Sequence, residues 1–141
     1  MNKIQLSTIA AFAFLLGSCG TDTNQKTPNS GPKAGTAETG EAIYKRTCIT
    51  CHQASGLGLP NTFPPLAKSD YIANKEKTIR QVINGGSGDI VVNGKTYNST
   101  MTQQQLSDEE VASVLTYVYN NFGNGGGTVT ADEVKAVRSK M

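Results

Sequence analysis

The sequence predicts a mainly α-helical domain of roughly 85–100 residues, with loops long enough to wrap a central group. Three observations lead there. Several stretches carry apolar residues at three- and four-residue spacing behind residues that cap helices. The longest connection between them is rich in Gly and Pro. Only 37% of the 141 residues are apolar and 6% aromatic, with no Trp, which is a thin core for a self-sufficient domain.

The chain opens with Met1-Asn2-Lys3 and an apolar run, Ile9 to Leu16. That run is shorter than the roughly 20 residues a spanning helix needs and matches the apolar part of an export signal. It ends in Leu16-Gly17-Ser18-Cys19, which resembles the lipobox of bacterial lipoproteins, where small residues precede a Cys that is acylated and becomes the mature N-terminus. An ordinary signal peptide with a chance Cys is the alternative. On the lipobox reading, residues 1–18 are removed and Cys19 carries the lipid. The protein then sits in the bacterial cell envelope, anchored to a membrane and facing the periplasm or exterior. Acyl chains contribute about 0.8 kcal/mol per buried CH₂, so two or three give a stable anchor.

Residues 19–37 are Thr, Asn, Gln, Pro, Ser, Gly and Lys with little else, a composition expected to form a flexible tether of roughly 20–25 Å root-mean-square span. The formal charge of +2 contains no dense basic block, so nucleic acid is not an expected partner. Loss of Lys3 with the signal leaves a nearly neutral mature protein.

The domain is expected over residues 38–141. Gly40, Ile43, Tyr44 and Thr47 share one face, predicting a helix over 39–47 that runs into Cys48. Gln53 to Ala67, with Gly56, Gly58, Pro60, Pro64 and Pro65, reads as loop. Ser69 and Asn74 read as N-caps, the first of a helical turn and the second of a helix over 75–84 that stops at Gly85-Gly86. Ile90 to Tyr97 reads as two short strands around Asn93-Gly94, a dipeptide suited to a type I′ turn. Ser107 to Glu110 is a capping box opening a helix with Val111, Val114, Leu115, Val118 and Phe122 on one stripe. After an Asn124–Gly127 stretch expected to be a flexible elbow, Thr130 to Glu133 caps an extension helix, within a C-terminal extension from about 128.

Chemistry concentrates in Cys48-Ile49-Thr50-Cys51-His52, the C-x-x-C-H attachment sequence for haem c. Two thiols add to the two vinyl groups, and the adjacent imidazole reaches the iron. A zinc site lacks a fourth ligand, since the chain has no other His and no spare Cys once Cys19 is lipidated. A thioredoxin-like dithiol would follow a buried strand, and none is predicted before Cys48. A 48–51 disulfide would leave the thin core unexplained, whereas one buried covalent haem supplies it. For the iron's second axial position, Met is the available side chain once His52 is used. Met1 leaves with the signal and Met141 ends the chain. Met101, in a polar loop, is therefore the expected ligand, with a five-coordinate iron as the alternative.

From about residue 38 to 123 the domain resembles the class I monohaem c-type cytochromes. The resemblance rests on Gly40, Tyr44 and the Cys48–His52 motif, on Val114-x-x-Tyr117-Val118, on Pro64-Pro65-Leu66 and on the Met101 loop. It implies the cytochrome c fold, mainly α, with helices around a covalent haem and a small hairpin before the distal Met loop. It further implies a crossing of the first helix on the C-terminal one at Gly40, and a Pro64 carbonyl that accepts from the His52 ring; for Pro64 a plain turn proline is the alternative. Pro64, Leu66 and Tyr97 are assigned to the haem pocket. Thr100 and Thr102 flank Met101 where the family often has Pro. No paired carboxylates, nucleophile triad or phosphate loop appears, so the expected protein is an electron carrier, not an enzyme, with no small-molecule substrate. Its expected partners are a redox donor and acceptor protein. The alternatives are a fixed cytochrome subunit of a redox enzyme complex and a haem-based ligand sensor. Lys68, Lys75 and Lys77 form a loose basic group, read as a solvated face; Tyr71, Tyr97 and Tyr119 could reach haem propionates but read more readily as packing.

Overall fold

A computed structural model describes residues 38–141; residues 1–37, on which the expected signal, lipid-bearing Cys19 and tether fall, lie outside the described residues. Thr39 Oγ1 accepts from the Ala42 amide and opens α1 (Gly40–Ile43). The helix does not end before Cys48. It widens to i→i+5 bonding over Tyr44–Cys48, with the Ile49 amide donating to the Tyr44 carbonyl, and returns to α geometry in α2 (Ile49–His52). The stop comes at Gln53, whose φ of 63° is left-handed. Helical winding thus carries through the C-x-x-C-H motif.

The loop from 53 to 67 is held by backbone bonds. Leu66 and Ala67 amides donate to the Gly56 carbonyl at 2.7 and 2.9 Å. A turn of 3₁₀ helix at Tyr71–Ala73 follows Asp70, not Ser69, and has no side-chain cap, so the expected Ser69 cap is not made. Asn74 does cap α3 (Lys75–Asn84), accepting from Lys77 N. Strands β1 (Ile90–Val92) and β2 (Lys95–Tyr97) pair antiparallel, Ile90 with Tyr97 and Val92 with Lys95. Asn93 and Gly94 both have positive φ, 52° and 75°, as the type I′ turn requires.

Helix α4 (Asp108–Asn120) begins with the reciprocal Ser107–Glu110 capping box. It stops two residues short of Phe122, which adopts φ 58° and so leaves the helical stripe on which it was expected. Phe122 still packs inward, its ring 5.2 Å from Tyr44 and 5.8 Å from Tyr117. Helix α5 (Ala131–Arg138) carries a second capping box, Thr130–Glu133. The stretch before it is tied down at several points. Asn124 Nδ2 donates to the Leu66 and Val118 carbonyls, Asn120 Nδ2 to that of Gly127, and the Gly126 amide to that of Tyr119. These bonds replace the expected flexible elbow.

The core lies where α1, α3, α4 and α5 meet. Ile43, Tyr44, Ile79, Ile83, Val111, Val114 and Val134 are each at most 2% exposed. Gly40 is the point of closest approach between α1 and α4: a Cβ there would lie 2.2 Å from the Ser113 carbonyl oxygen and 2.8 Å from Tyr117 Cβ. Only a bare backbone permits that crossing. Val129, Val134 and Val137 are buried, and Arg138 reaches Asp108 while Lys75 reaches Glu133. The extension is therefore part of the folded core.

Candidate haem site

Residues three and four apart share a helical face. Cys48, Cys51 and His52 stand in that relation, and all three line one cavity of about 280 Å³, close to the lower end of the range for small-molecule sites. Its walls are mainly apolar, drawn from Ile72, Val82, Leu106, Val114, Leu115 and Val118. Cys48 and Cys51 are not joined to each other in the fold. Burial pushes the Cys48 thiol up, against a hydrogen bond with Thr47 Oγ1 that lowers it. That is opposite to the depressed thiolate of an activated dithiol. Among the described residues, no cluster of three or more His, Cys, Asp or Glu is placed to hold a bare metal ion.

His52 Nδ1 lies 3.0 Å from the Pro64 carbonyl oxygen. A carbonyl only accepts, so Nδ1 carries the proton and Nε2 keeps its lone pair in the neutral ring. Burial holds the His52 pKa below its ordinary value, with the Pro64 bond opposing, which favours that neutral form. The carbonyl is positioned by its neighbour in space: at Gly58, φ 65°, a Cβ would lie 2.3 Å from Phe63 O and 2.6 Å from Pro64 O. Pro64 is thus more than a turn proline. Leu66 lines the cavity beside it.

Met101 lines the same cavity. Its loop has no proline, but a two-bond bridge to Gly86 holds it: Met101 N donates to Gly86 O at 2.8 Å and Gly86 N to Met101 O at 2.9 Å. Gly85 permits this approach, because a Cβ there would lie 2.3 Å from Met101 O. Met141 is elsewhere, its sulfur accepting from Asn84 Nδ2 at 3.0 Å.

Tyr97 is buried, pairs with Ile90 and is not among the cavity-lining residues, unlike Ile90 and Val92 of the same hairpin. The Tyr119 hydroxyl donates to Ile72 O at 2.5 Å, a packing role. The three lysines do not act as one group. Lys75 bonds Glu133 and the Thr128 carbonyl, Lys77 lies 4.0 Å from the Tyr71 ring centroid, and Lys68 packs at Gly123.

Two cavity residues escaped the sequence reading. Ser69 is 7% exposed, and among the described residues its Oγ is the buried side-chain oxygen or nitrogen without a partner. Gln81 donates from Nε2 to Met101 Sδ at 3.8 Å and accepts at Oε1 from the Tyr71 hydroxyl at 3.1 Å. The available signal for Gln81 was its spacing of three from Thr78 on the inward face of α3.

Two free thiols, an imidazole with Nε2 available, a thioether and a mainly apolar wall fit a haem attached through its vinyl groups. The Ser69 hydroxyl, buried without a partner, fits a bound group that brings its own acceptors.

Residues 35–118 match the family described as cytochrome c oxidase, cbb3-type, subunit III. The chain is 38% identical over 112 residues to cytochrome c-552 of Thermus thermophilus, covering 72% of this chain and 85% of that one. It is 30% identical over 108 residues to the fructose dehydrogenase cytochrome subunit of Gluconobacter japonicus, covering 71% of this chain and 22% of that protein. To the cytochrome c subunit of the quinone alcohol dehydrogenase of Gluconobacter oxydans it is 29% identical over 111 residues, covering 76% and 23%. Motif, mainly helical fold and relatives agree, and the chain belongs to the cytochrome c family, which carries covalently attached haem c.

Proposed function

We propose that this cytochrome is a membrane-tethered electron carrier of the bacterial cell envelope, with haem c held by thioethers from Cys48 and Cys51 and iron ligated by His52 and Met101. The observation that carries the reading is that all four side chains line one apolar cavity. When bound, the haem supplies one-electron exchange between Fe(II) and Fe(III). The protein's part is to hold and insulate it. Pro64 fixes the proton on His52 Nδ1 and leaves Nε2 to the metal. The Met101 thioether favours a higher potential than a second nitrogen ligand would. Apolar side chains from α3 and α4 exclude water. With both axial positions taken by side chains, no iron site is left for a substrate, so the protein is a carrier and not an enzyme.

Cys19 carries the lipid in this proposal, and the tether lets the domain reach a donor and an acceptor protein in the periplasm or exterior. Among the described residues no helix is long and apolar enough to cross a membrane. The relatives that are dehydrogenase cytochrome subunits favour a second reading, a fixed subunit of such a complex.

Carbon monoxide tests the first point. The reduced holoprotein is expected to bind it poorly, and Met101→Ala to bind it readily with an altered spectrum. Rapid binding by the unmutated protein, or an unchanged Met101→Ala spectrum, sinks the six-coordinate reading and returns the sensor alternative. Metabolic labelling with a fatty-acid probe is expected to mark the protein and not Cys19→Ser. Purification under mild detergent separates carrier from subunit, since only a subunit brings a dehydrogenase at fixed stoichiometry.

A further inference from the structure

The chain Tyr71–Gln81–Met101 is a hydrogen-bonded path on a mainly apolar wall, and all three residues line the cavity. A thioether sulfur has two lone pairs, so one can serve a metal while the other accepts a hydrogen bond. Gln81 Nε2 is placed for that second role at 3.8 Å. An amide can face the sulfur with either end, and only the NH₂ end donates. Tyr71 decides which. Its hydroxyl donates to Gln81 Oε1 at 3.1 Å and so turns the NH₂ end toward Met101. The Tyr71 ring is itself held from outside, with Lys77 Nζ over its face.

The geometry points to Gln81 and Tyr71 as positioning residues that set the donor strength of the Met101 sulfur, and through it the reduction potential. The inference rests on Met101 being the iron ligand. A hydrogen bond to the sulfur withdraws electron density from it. Fe(III), the more electron-poor state, loses more from that withdrawal than Fe(II), so the bond favours the reduced form and raises the potential. Tyr71 acts only through the amide. Without its hydroxyl the amide is free to turn its oxygen toward the sulfur, which repels and does not donate.

Redox titration of the holoprotein and of Gln81→Leu, Tyr71→Phe and the double variant tests this. Gln81→Leu is expected to raise the Fe(III)/Fe(II) ratio at a fixed applied potential about threefold or more, equivalent to a midpoint lower by about 28 mV at 59 mV per tenfold. Tyr71→Phe, which removes one oxygen, is expected to act in the same direction and less strongly. In the Gln81→Leu background Tyr71→Phe is expected to add nothing, because the amide it orients is gone. Far-UV circular dichroism and thermal unfolding of each variant report folding separately. A ratio changed by less than about 1.5-fold in Gln81→Leu overturns the inference, as does a Tyr71→Phe effect that persists undiminished in the double variant. Met101→Ala runs alongside: if its spectrum and potential match the parent, Met101 is not a ligand and the functional reading itself fails.

Discussion

Gly40→Ala puts one methyl group where α1 meets α4, and its cost can be worked from the contact. The added Cβ would sit 2.2 Å from the Ser113 carbonyl oxygen, 2.8 Å from its carbon and 2.8 Å from Tyr117 Cβ. Two of the three clashes are with backbone, so no rotamer change relieves them, and the helices must separate by about 1 Å. A gap of about 0.5–1 Å forfeits a quarter to a half of each dispersion contact across it. The side chains around the crossing are among the best buried in the molecule: Ile43 at 0%, Tyr44 at 1% and Val114 at 2% exposure. Overpacking of this kind costs about 1–3 kcal/mol, against which Ala gains about 0.5–1 kcal/mol over Gly in a helix. A net loss of about 1 kcal/mol corresponds to a fall in Tm of roughly 4–8 °C for a domain of about 100 residues. Thermal unfolding of the oxidised holoprotein by far-UV circular dichroism measures it. Gly125→Ala is the control, since nothing lies within 4 Å of a Cβ there, and it is expected to be neutral. A Gly40→Ala melt within about 2 °C of the parent, or an equal loss in Gly125→Ala, would refute the close-crossing argument.

Gly58→Ala is expected to push the Pro64 carbonyl off His52 Nδ1, given a Cβ 2.6 Å from that oxygen; a less basic imidazole then raises the reduction potential, and an unaltered redox titration counts against the link. Val134, fully buried in α5, is expected to cost about 1.5–3 kcal/mol on truncation to Ala, read as a lower urea midpoint, whereas a loosely attached tail would show no change. Glu133 has its carboxyl held below the ordinary value of 4.5, first by Lys75 and then by the Thr130 amide. A depressed carboxyl contributes stability that is present above about pH 4.5 and is lost as pH falls through the lower folded value. Glu133→Gln is therefore expected to flatten the acid limb of stability against pH slightly, because the pair is exposed; a steeper limb would contradict the assignment.

What could be read in advance was local. Capping boxes at Ser107–Glu110 and Thr130–Glu133, the Asn93-Gly94 turn and the Cys48–His52 spacing each involve residues within four or five positions, where backbone geometry alone links sequence to structure. Met101 was reached as the proposed ligand by elimination, because its bridge partner Gly86 lies fifteen residues away and no short-range pattern announces a two-bond contact. The end of the first helix was placed too early for a related reason. A single wide turn at Tyr44–Cys48 lets the winding continue through the motif, and nothing in the local composition forbids or demands it. Phe122 failed in the other direction. It continues the apolar stripe of α4, but the chain turns at Asn121 and presents the same ring to Tyr44 from a left-handed backbone.

Ser69 and Gln81 show a different limit, and it belongs to proteins whose centre is a cofactor. A polar residue before a helical turn reads as a cap, because in a chain that supplies its own core that is the cheapest way to satisfy a hydroxyl. Here Ser69 lines the cavity and its hydroxyl is buried with no protein partner. A Gln on a helix reads as solvent-facing by the same logic, yet Gln81 spends both ends of its amide on Tyr71 and Met101. Both assignments invert once the inside of the domain is allowed to hold polar chemistry of its own. The low apolar fraction carries that information: it is the mark of a chain whose buried polar groups must be judged against the haem and not against one another.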